Sequence, residues 1–216
     1  MEPIKNTLAN LNRETNTRAP RSFEDEANPS DELEDLRSSM RISSLGHTFD
    51  SFKVLAGTEE VFRAFKAIAQ GETEKPFLFC YGGVGNGKTH LCEATVIELR
   101  KRGIFCRYYT VPEIMSLLKR AINREISGVD PDDLLQRFCQ ARALILDDLE
   151  IGTDWERQKL EMLIDARYRN RRLTVLVSNR DLDELEKWSD RIVSRLSDPD
   201  VSHMVLNRGE DYRRRP

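Results

Sequence analysis

The 216-residue chain reads as an α/β protein built on a parallel five-stranded sheet with helices on both faces. Short apolar runs alternate with amphipathic stretches of helical period. The runs are apolar at successive residues, not at every second one, as in strands covered on both sides. One run leads through a glycine-rich turn directly into a helical stretch, which makes the sheet a nucleotide-binding candidate.

Globular texture starts at Thr48. Thr58 stands at a cap position before a helix on which Val61, Phe62, Phe65, Ile68 and Ala69 form one stripe, with Gly71 past its end. Lys75–Tyr81 is a buried strand, followed by the glycine-rich turn and a helix from Lys88 to about Arg102. Ile104–Tyr109 is a second strand. Thr110-x-x-Glu113, with Pro112, opens a helix through Leu117, Leu118 and Ile122, and Asp130-Pro131 opens another through Leu134, Leu135 and Phe138. Ala143–Leu146 is a third strand. Thr153-x-x-Glu156 caps a helix carrying Leu160, Leu163 and Ile164; Leu173–Val177 and Ser202–Leu206 complete the sheet.

Residues 1–46 read as an acidic, largely disordered tail, and residues 47–216 as the folded core. The tail holds six basic and nine acidic side chains out of 34 and 37, so the remaining 170 residues carry 28 of each sign. A neutral core makes no long-range field for polyanions, so nucleic-acid contact would rest on local patches. Lys119, Arg120 and Arg124 form one candidate patch and Arg167, Arg169, Arg171 and Arg172 another; each is either a DNA contact or a solvated face. Within the tail, Ser30 can cap a helix over 30–41 with Leu33, Leu36 and Met40 on one face, either a partner-binding helix or a marginal, solvated one. No apolar run approaches the roughly 18 residues of a membrane helix, and residues 1–25 lack a signal-peptide core, so a soluble cytoplasmic protein without membrane contact is expected. Cys80, Cys92, Cys106 and Cys139 form no C-x-x-C pair and are expected as reduced core thiols; the three histidines are scattered, against a histidine metal site.

Four motifs carry chemistry. Gly82-Gly-Val-Gly-Asn-Gly-Lys-Thr89 matches G-x-x-x-x-G-K-[ST], between a strand and a helix as its mechanism requires. Its glycines let backbone N–H groups turn around a phosphate at a helix N-terminus. Gly82, Gly83, Val84, Gly85, Asn86, Gly87, Lys88, Thr89 and His90 are the expected nucleotide-binding residues, with Lys88 on the β- and γ-phosphates and the Thr89 hydroxyl on Mg²⁺. The alternative is a glycine-rich turn with an incidental lysine. Ala143-Leu-Ile-Leu-Asp147-Asp148 is an apolar strand ending in two carboxylates, Asp147 for the Mg²⁺ shell and Asp148 to polarise a water; its strand is expected beside that of the phosphate loop. Ser178-Asn179 closes the next strand, where Asn179 would sit near the γ-phosphate and orient that water, unless it is an ordinary turn. Asp190–Leu196 is a short helix whose Arg191 and Arg195 lie one turn apart: a solvated basic face, or an arginine offered across a subunit boundary.

Taken with Thr48-Phe-Asp-Ser-Phe52, Tyr81–Leu91, Thr110-Val-Pro-Glu113 and Leu144–Leu149, these motifs resemble the AAA+ ATPases of the bacterial helicase-loader type (DnaC/DnaI) and, closely, the IstB transposition helpers, over about residues 48–213. The resemblance implies an ATP and Mg²⁺ site completed by a neighbouring subunit in an ATP-dependent homo-oligomer. Asn179 matches the sensor position and Arg195 the arginine finger. It also implies a replicative hexameric helicase as partner, weak single-stranded DNA binding, and slow hydrolysis, since Asp148 replaces the usual glutamate. Glu150 departs from the family's glycine, residues 1–46 contain no zinc-binding cysteines, and with Pro216 soon after the fifth strand no C-terminal lid domain is expected. The Asp-Asp-Leu strand followed by Ser-Asn argues against a small-molecule kinase.

Overall fold

The computed structural model describes residues 46–150 and 152–212. The expected tail, its 30–41 helix and Arg213–Arg215 lie outside the described residues. In chain order the elements are α1 (Glu59–Gln70), β1 (Phe77–Tyr81), α2 (Lys88–Lys101), β2 (Cys106–Thr110), α3 (Val111–Ile122), α4 (Pro131–Gln140), β3 (Ala143–Leu149), α5 (Asp154–Arg169), β4 (Leu173–Ser178), α6 (Leu182–Trp188), α7 (Asp190–Leu196) and β5 (Ser202–Leu206).

The sheet is parallel throughout, in the order β2-β3-β4-β1-β5. Alternation along each strand feeds two cores. Phe77, Phe79, Leu144, Leu146 and Leu176 join α3, α4, α5 and α7 on one face. Leu78, Cys80, Ile145, Val175 and Val177 join α1, α2 and Phe52 on the other. Burial on both faces is why the central strands β1, β3 and β4 carry long apolar runs, while the edge strands β2 and β5 mix in polar residues.

The expected adjacency of the phosphate-loop strand and the paired-carboxylate strand is incorrect: β4 lies between β1 and β3, pairing Phe77 with Thr174 and Ala143 with Leu173. The crossover through α2 carries the chain past two strand positions before β2, and no local pattern records that stride. Strand ends also move. β1 starts at Phe77 because Pro76 has no N–H to give; its carbonyl instead accepts from the Thr174 amide at 2.8 Å. β3 continues beyond Leu146 to Leu149.

Helix starts follow the sequence closely. Thr110 and Thr153 each close a reciprocal capping box, with Glu113 and Glu156, and Asp130 caps α4. Thr58 is the exception: its backbone is already helical (φ −109°, ψ −6°), and its hydroxyl bonds back to Leu55 instead. Gly71 ends α1 at φ 68°, a left-handed conformation that suits glycine. The short helix α6, capped by an Asp181–Glu184 box, is one the periodicity does not reveal.

All four cysteines are buried and unbridged, as expected. Burial pushes the Cys80 thiol up to about 12 and raises those of Cys92 and Cys139. Since the thiolate is the reactive form, iodoacetamide at pH 8 is expected to leave all four unmodified in the native protein and to alkylate all four in denaturant. Labelling of the folded protein by mass spectrometry would show that the cores open. Among the described residues no helix is long and apolar enough to cross a membrane.

Candidate nucleotide site

The site forms where β1, β3 and β4 end. Tyr81 leads into a loop that needs glycine where backbone and an aromatic ring press on it. Gly82 has φ 137°, and a Cβ there would stand 2.3 Å from the Asn207 carbonyl oxygen. Gly87 has φ 88° at the start of α2, and a Cβ would meet the Phe52 ring at 2.7 Å. Backbone and ring cannot give way cheaply, so these positions exclude side chains. The loop thereby aims the unpaired amides of α2 outward, the arrangement that holds a phosphate.

Lys88 curls back over the loop. Its Nζ donates to the carbonyls of Gly82 (2.9 Å) and Gly83 and to Asn86 Oδ1 (2.8 Å). Burial lowers its pKa, while Cys80, Asp147 and Asp148 act the other way. The ammonium is a largely dehydrated charge held against the loop, suited to a polyanion.

Asp147 is 1% exposed, and burial raises its pKa. Its carboxylate accepts from the Thr89 hydroxyl, from Tyr108 Oη at 3.1 Å and from the Asp148 amide at 2.9 Å. In a regular strand, consecutive side chains point to opposite faces. Here the β3–β4 register slips between Leu146 and Leu149, and Asp148 adopts φ 51°, a left-handed conformation aspartate tolerates. Asp148 Oδ1 then accepts from Asn179 Nδ2 at 3.3 Å, while Asp147 faces Thr89. The strand ends and the loop thus bring Lys88, Thr89, Asp147, Asp148 and Asn179 together.

Tyr108 is a site residue the sequence reading misses. It sits on β2 opposite Ile145, and that register alone brings its hydroxyl to Asp147. Burial raises the phenol's pKa, so it stays a neutral donor. Nothing local distinguishes it from an ordinary strand tyrosine.

His90 turns its ring away from the loop. Its Nε2 meets the Thr48 carbonyl at 2.9 Å, and its ring stacks on His47 and stands edge-on to Phe52. His90 therefore grips segment 47–52 against α2, and Val84 lies exposed on the loop. From the far end of the chain, residues 207–212 cross the loop. Asn86 and Asn207 exchange side-chain-to-carbonyl bonds of 3.3 and 3.2 Å, and the Tyr212 amide donates to Gly85 at 2.9 Å.

Arg195 lies elsewhere. Its carbonyl accepts from Ser202 Oγ, and Ser202 pairs with Phe77 at the start of β1. The five residues of β1, about 13 Å at strand rise, separate that strand end from the loop. The Arg195 backbone thus lies at the end of the strands opposite its own chain's phosphate loop. Of the basic patches, Arg167 is fully buried and is removed as a DNA contact, whereas Arg169 and Arg171 are exposed. Lys119 pairs with Glu156 at 2.8 Å and Arg120 with Glu125 at 3.9 Å.

The donors suit a hard divalent cation such as Mg²⁺: a buried carboxylate and a hydroxyl. No cluster of three or more metal-binding side chains occurs among the described residues. An ion held here would take its other ligands from phosphate and water, as Mg²⁺ does in phosphate sites.

Comparison with known proteins agrees with this geometry. Residues 44–199 match the family model described as the bacterial DnaA ATPase domain. The chromosomal replication initiator protein DnaA of Cereibacter sphaeroides is 31% identical over 200 residues, covering 89% of this chain and 42% of that protein. The chain thus spans less than half the length of that relative. Among solved structures, replication initiator DnaA bound to AMPPCP and single-stranded DNA is similar with a TM-score of 0.65 at 24% identity, covering 74% of this chain and 49% of that one. The DnaC helicase loader is similar with a TM-score of 0.63 at 22% identity, covering 74% of this chain and 96% of that one. The two structural likenesses establish a shared fold.

Proposed function

The chain belongs to the bacterial DnaA ATPase-domain family, a nucleotide-binding branch of the AAA+ ATPases, and from that premise we propose that it is an ATP-dependent assembly switch that helps place the replicative helicase on single-stranded DNA. The observation that carries this reading is the separation of Arg195 from the phosphate loop of its own chain. An arginine at the opposite end of the strands serves a nucleotide only when a second subunit brings that end to the loop. Support for the choice of partners comes from the fold likeness to the DnaC helicase loader and to DnaA with single-stranded DNA.

In this reading the loop amides and Lys88 bind the β- and γ-phosphates of ATP, and Thr89 and Asp147 hold Mg²⁺. Bound there, the ion would neutralise charge shared by the two phosphates. Tyr108 holds Asp147 in place by donating to it. Asp148 accepts a proton from the attacking water, and Asn179, bonded to Asp148, orients that water. The short Asp148 side chain leaves this contact long, which favours slow hydrolysis. Arg195 of a neighbouring subunit stabilises charge on the transferring phosphoryl group.

Arg195→Ala is expected to leave ATP affinity unchanged and to remove the rise in specific activity with protein concentration, a term on the order of 10³ in rate for such arginines. Normal hydrolysis by this variant would show the finger assignment to be wrong. Helicase loading is tested by native mass spectrometry of the full chain with its source's hexameric helicase, with and without ATP. A defined complex, lost on deleting residues 1–46, is expected. ATP-dependent oligomers on single-stranded DNA without helicase binding would indicate an initiator-like role. Oligomers only on duplex DNA would indicate a transposition helper of the IstB type.

A further inference from the structure

Resting on that reading of Arg195, we propose that Asp165 is its positioning residue, with the Tyr168 ring as platform, so that the finger is held ready before a neighbouring subunit arrives. Asp165 lies on α5 and is 5% exposed. A carboxylate so far from water needs cationic partners, and both come from α7. Its Oδ1 accepts from Arg195 Nε at 3.2 Å, and its Oδ2 pairs with Arg191 Nη2. The Arg195 Cζ stands 4.9 Å from the centre of the Tyr168 ring, within cation–π range. That ring is fixed in turn, since its hydroxyl donates to the Asp198 carboxylate and its edge meets Phe77.

Only the inner nitrogen of the Arg195 guanidinium is used. Its Nη1 and Nη2 make no hydrogen bond among the described residues, and the side chain is 36% exposed. The group is therefore gripped at Nε and along one face, while its two outer amino groups remain on offer. Those two groups form the planar fork that takes a phosphoryl oxygen pair. Holding a flexible side chain in the productive pose before encounter removes an ordering step from the reaction. Arg191, 57% exposed on the same carboxylate, neutralises the second oxygen and leaves the Nε contact to Arg195 undisturbed.

Subunit mixing tests this. A Lys88→Ala chain cannot hydrolyse ATP but carries the finger; an Arg195→Ala chain lacks the finger but keeps its own loop. Mixing them is expected to restore hydrolysis at the second chain's site. Adding Asp165→Asn to the finger-donating chain, which keeps the shape and removes the charge, should lower the restored kcat tenfold or more. KM for ATP, co-assembly by mass and the donor's melting temperature should stay unchanged, which a merely structural role does not predict. Full restoration by the Asp165→Asn donor overturns the positioning role. No restoration by the unmodified Lys88→Ala donor overturns the neighbour-finger reading itself, and this proposal with it. Should Asp165→Asn melt early, a Tyr168→Leu donor is read against Tyr168→Phe, which keeps the ring. Weaker restoration by leucine supports the platform, and equal restoration overturns it.

Discussion

Replacing Lys88 with alanine is expected to weaken ATP binding by at least about a hundredfold. Charge-assisted hydrogen bonds contribute roughly 1.5–3 kcal/mol each, and about 3 kcal/mol corresponds to a factor near 150 in affinity. Lys88 is 5% exposed, so no water replaces its ammonium easily. The fold itself should tolerate the change. Burial lowers the Lys88 pKa, and a base whose pKa falls on folding costs stability while charged. The side chain also bonds the carbonyls of Gly82 and Gly83, on half-buried and exposed residues that can turn to water, and the buried Asn86 Oδ1, whose unpairing offsets that gain by roughly 1–3 kcal/mol. Titration with a fluorescent ATP analogue, alongside a melting curve, separates the two effects. An unchanged dissociation constant would remove this loop from the nucleotide site.

Arg167→Met is expected to produce the largest loss of stability, about 3 kcal/mol, with nucleotide affinity retained. Arg167 is fully buried and donates to the carbonyls of Phe138 (2.8 Å), Ala141 (2.9 Å) and Leu173 (2.6 Å) and to Thr174 Oγ1 (2.9 Å). It therefore ties the end of α4 and the start of β4 to α5. Methionine fills much of the space but supplies no donor, and each buried acceptor left unpaired costs roughly 1–3 kcal/mol. Part of that loss is offset, because burial costs the guanidinium enough to pull its pKa down to about 9. For a domain of this size a 3 kcal/mol loss lowers the melting temperature by about 6–12 °C. A shift below about 2 °C would mean that those carbonyls find other donors.

The contrast between these two residues shows what the chain discloses locally. Lys88 is legible because its loop, strand and helix are contiguous, and the same holds for the Thr110 and Thr153 boxes. Arg167 reads as one of four basic residues near a helix end. Its burial depends on α4 and β4 arriving from 26–29 residues before it and a few residues after it. Tyr108 is hidden for the same reason, since its partner lies on a strand 39 residues away. The paired acids are plain to see, but the register slip and the φ of Asp148 that bring both to the site are products of strand pairing. Strand order is the least legible feature, because a crossover helix looks the same whether it advances the chain by one strand or by three.

The bonds from Asn207 and Tyr212 to Asn86 and Gly85 give the phosphate loop a second owner, a segment 121 residues further along the chain. The loop holds this shape with that segment seated on it. Apparent affinity for a ligand equals intrinsic affinity multiplied by the competent fraction. Halving the time that residues 207–212 spend in place would thus double the apparent dissociation constant without altering one atom of the loop. Any contact that held residues 207–212 in place or drew them away would shift nucleotide occupancy with its grip. By reciprocity, a bound nucleotide strengthens or weakens that grip by the same factor.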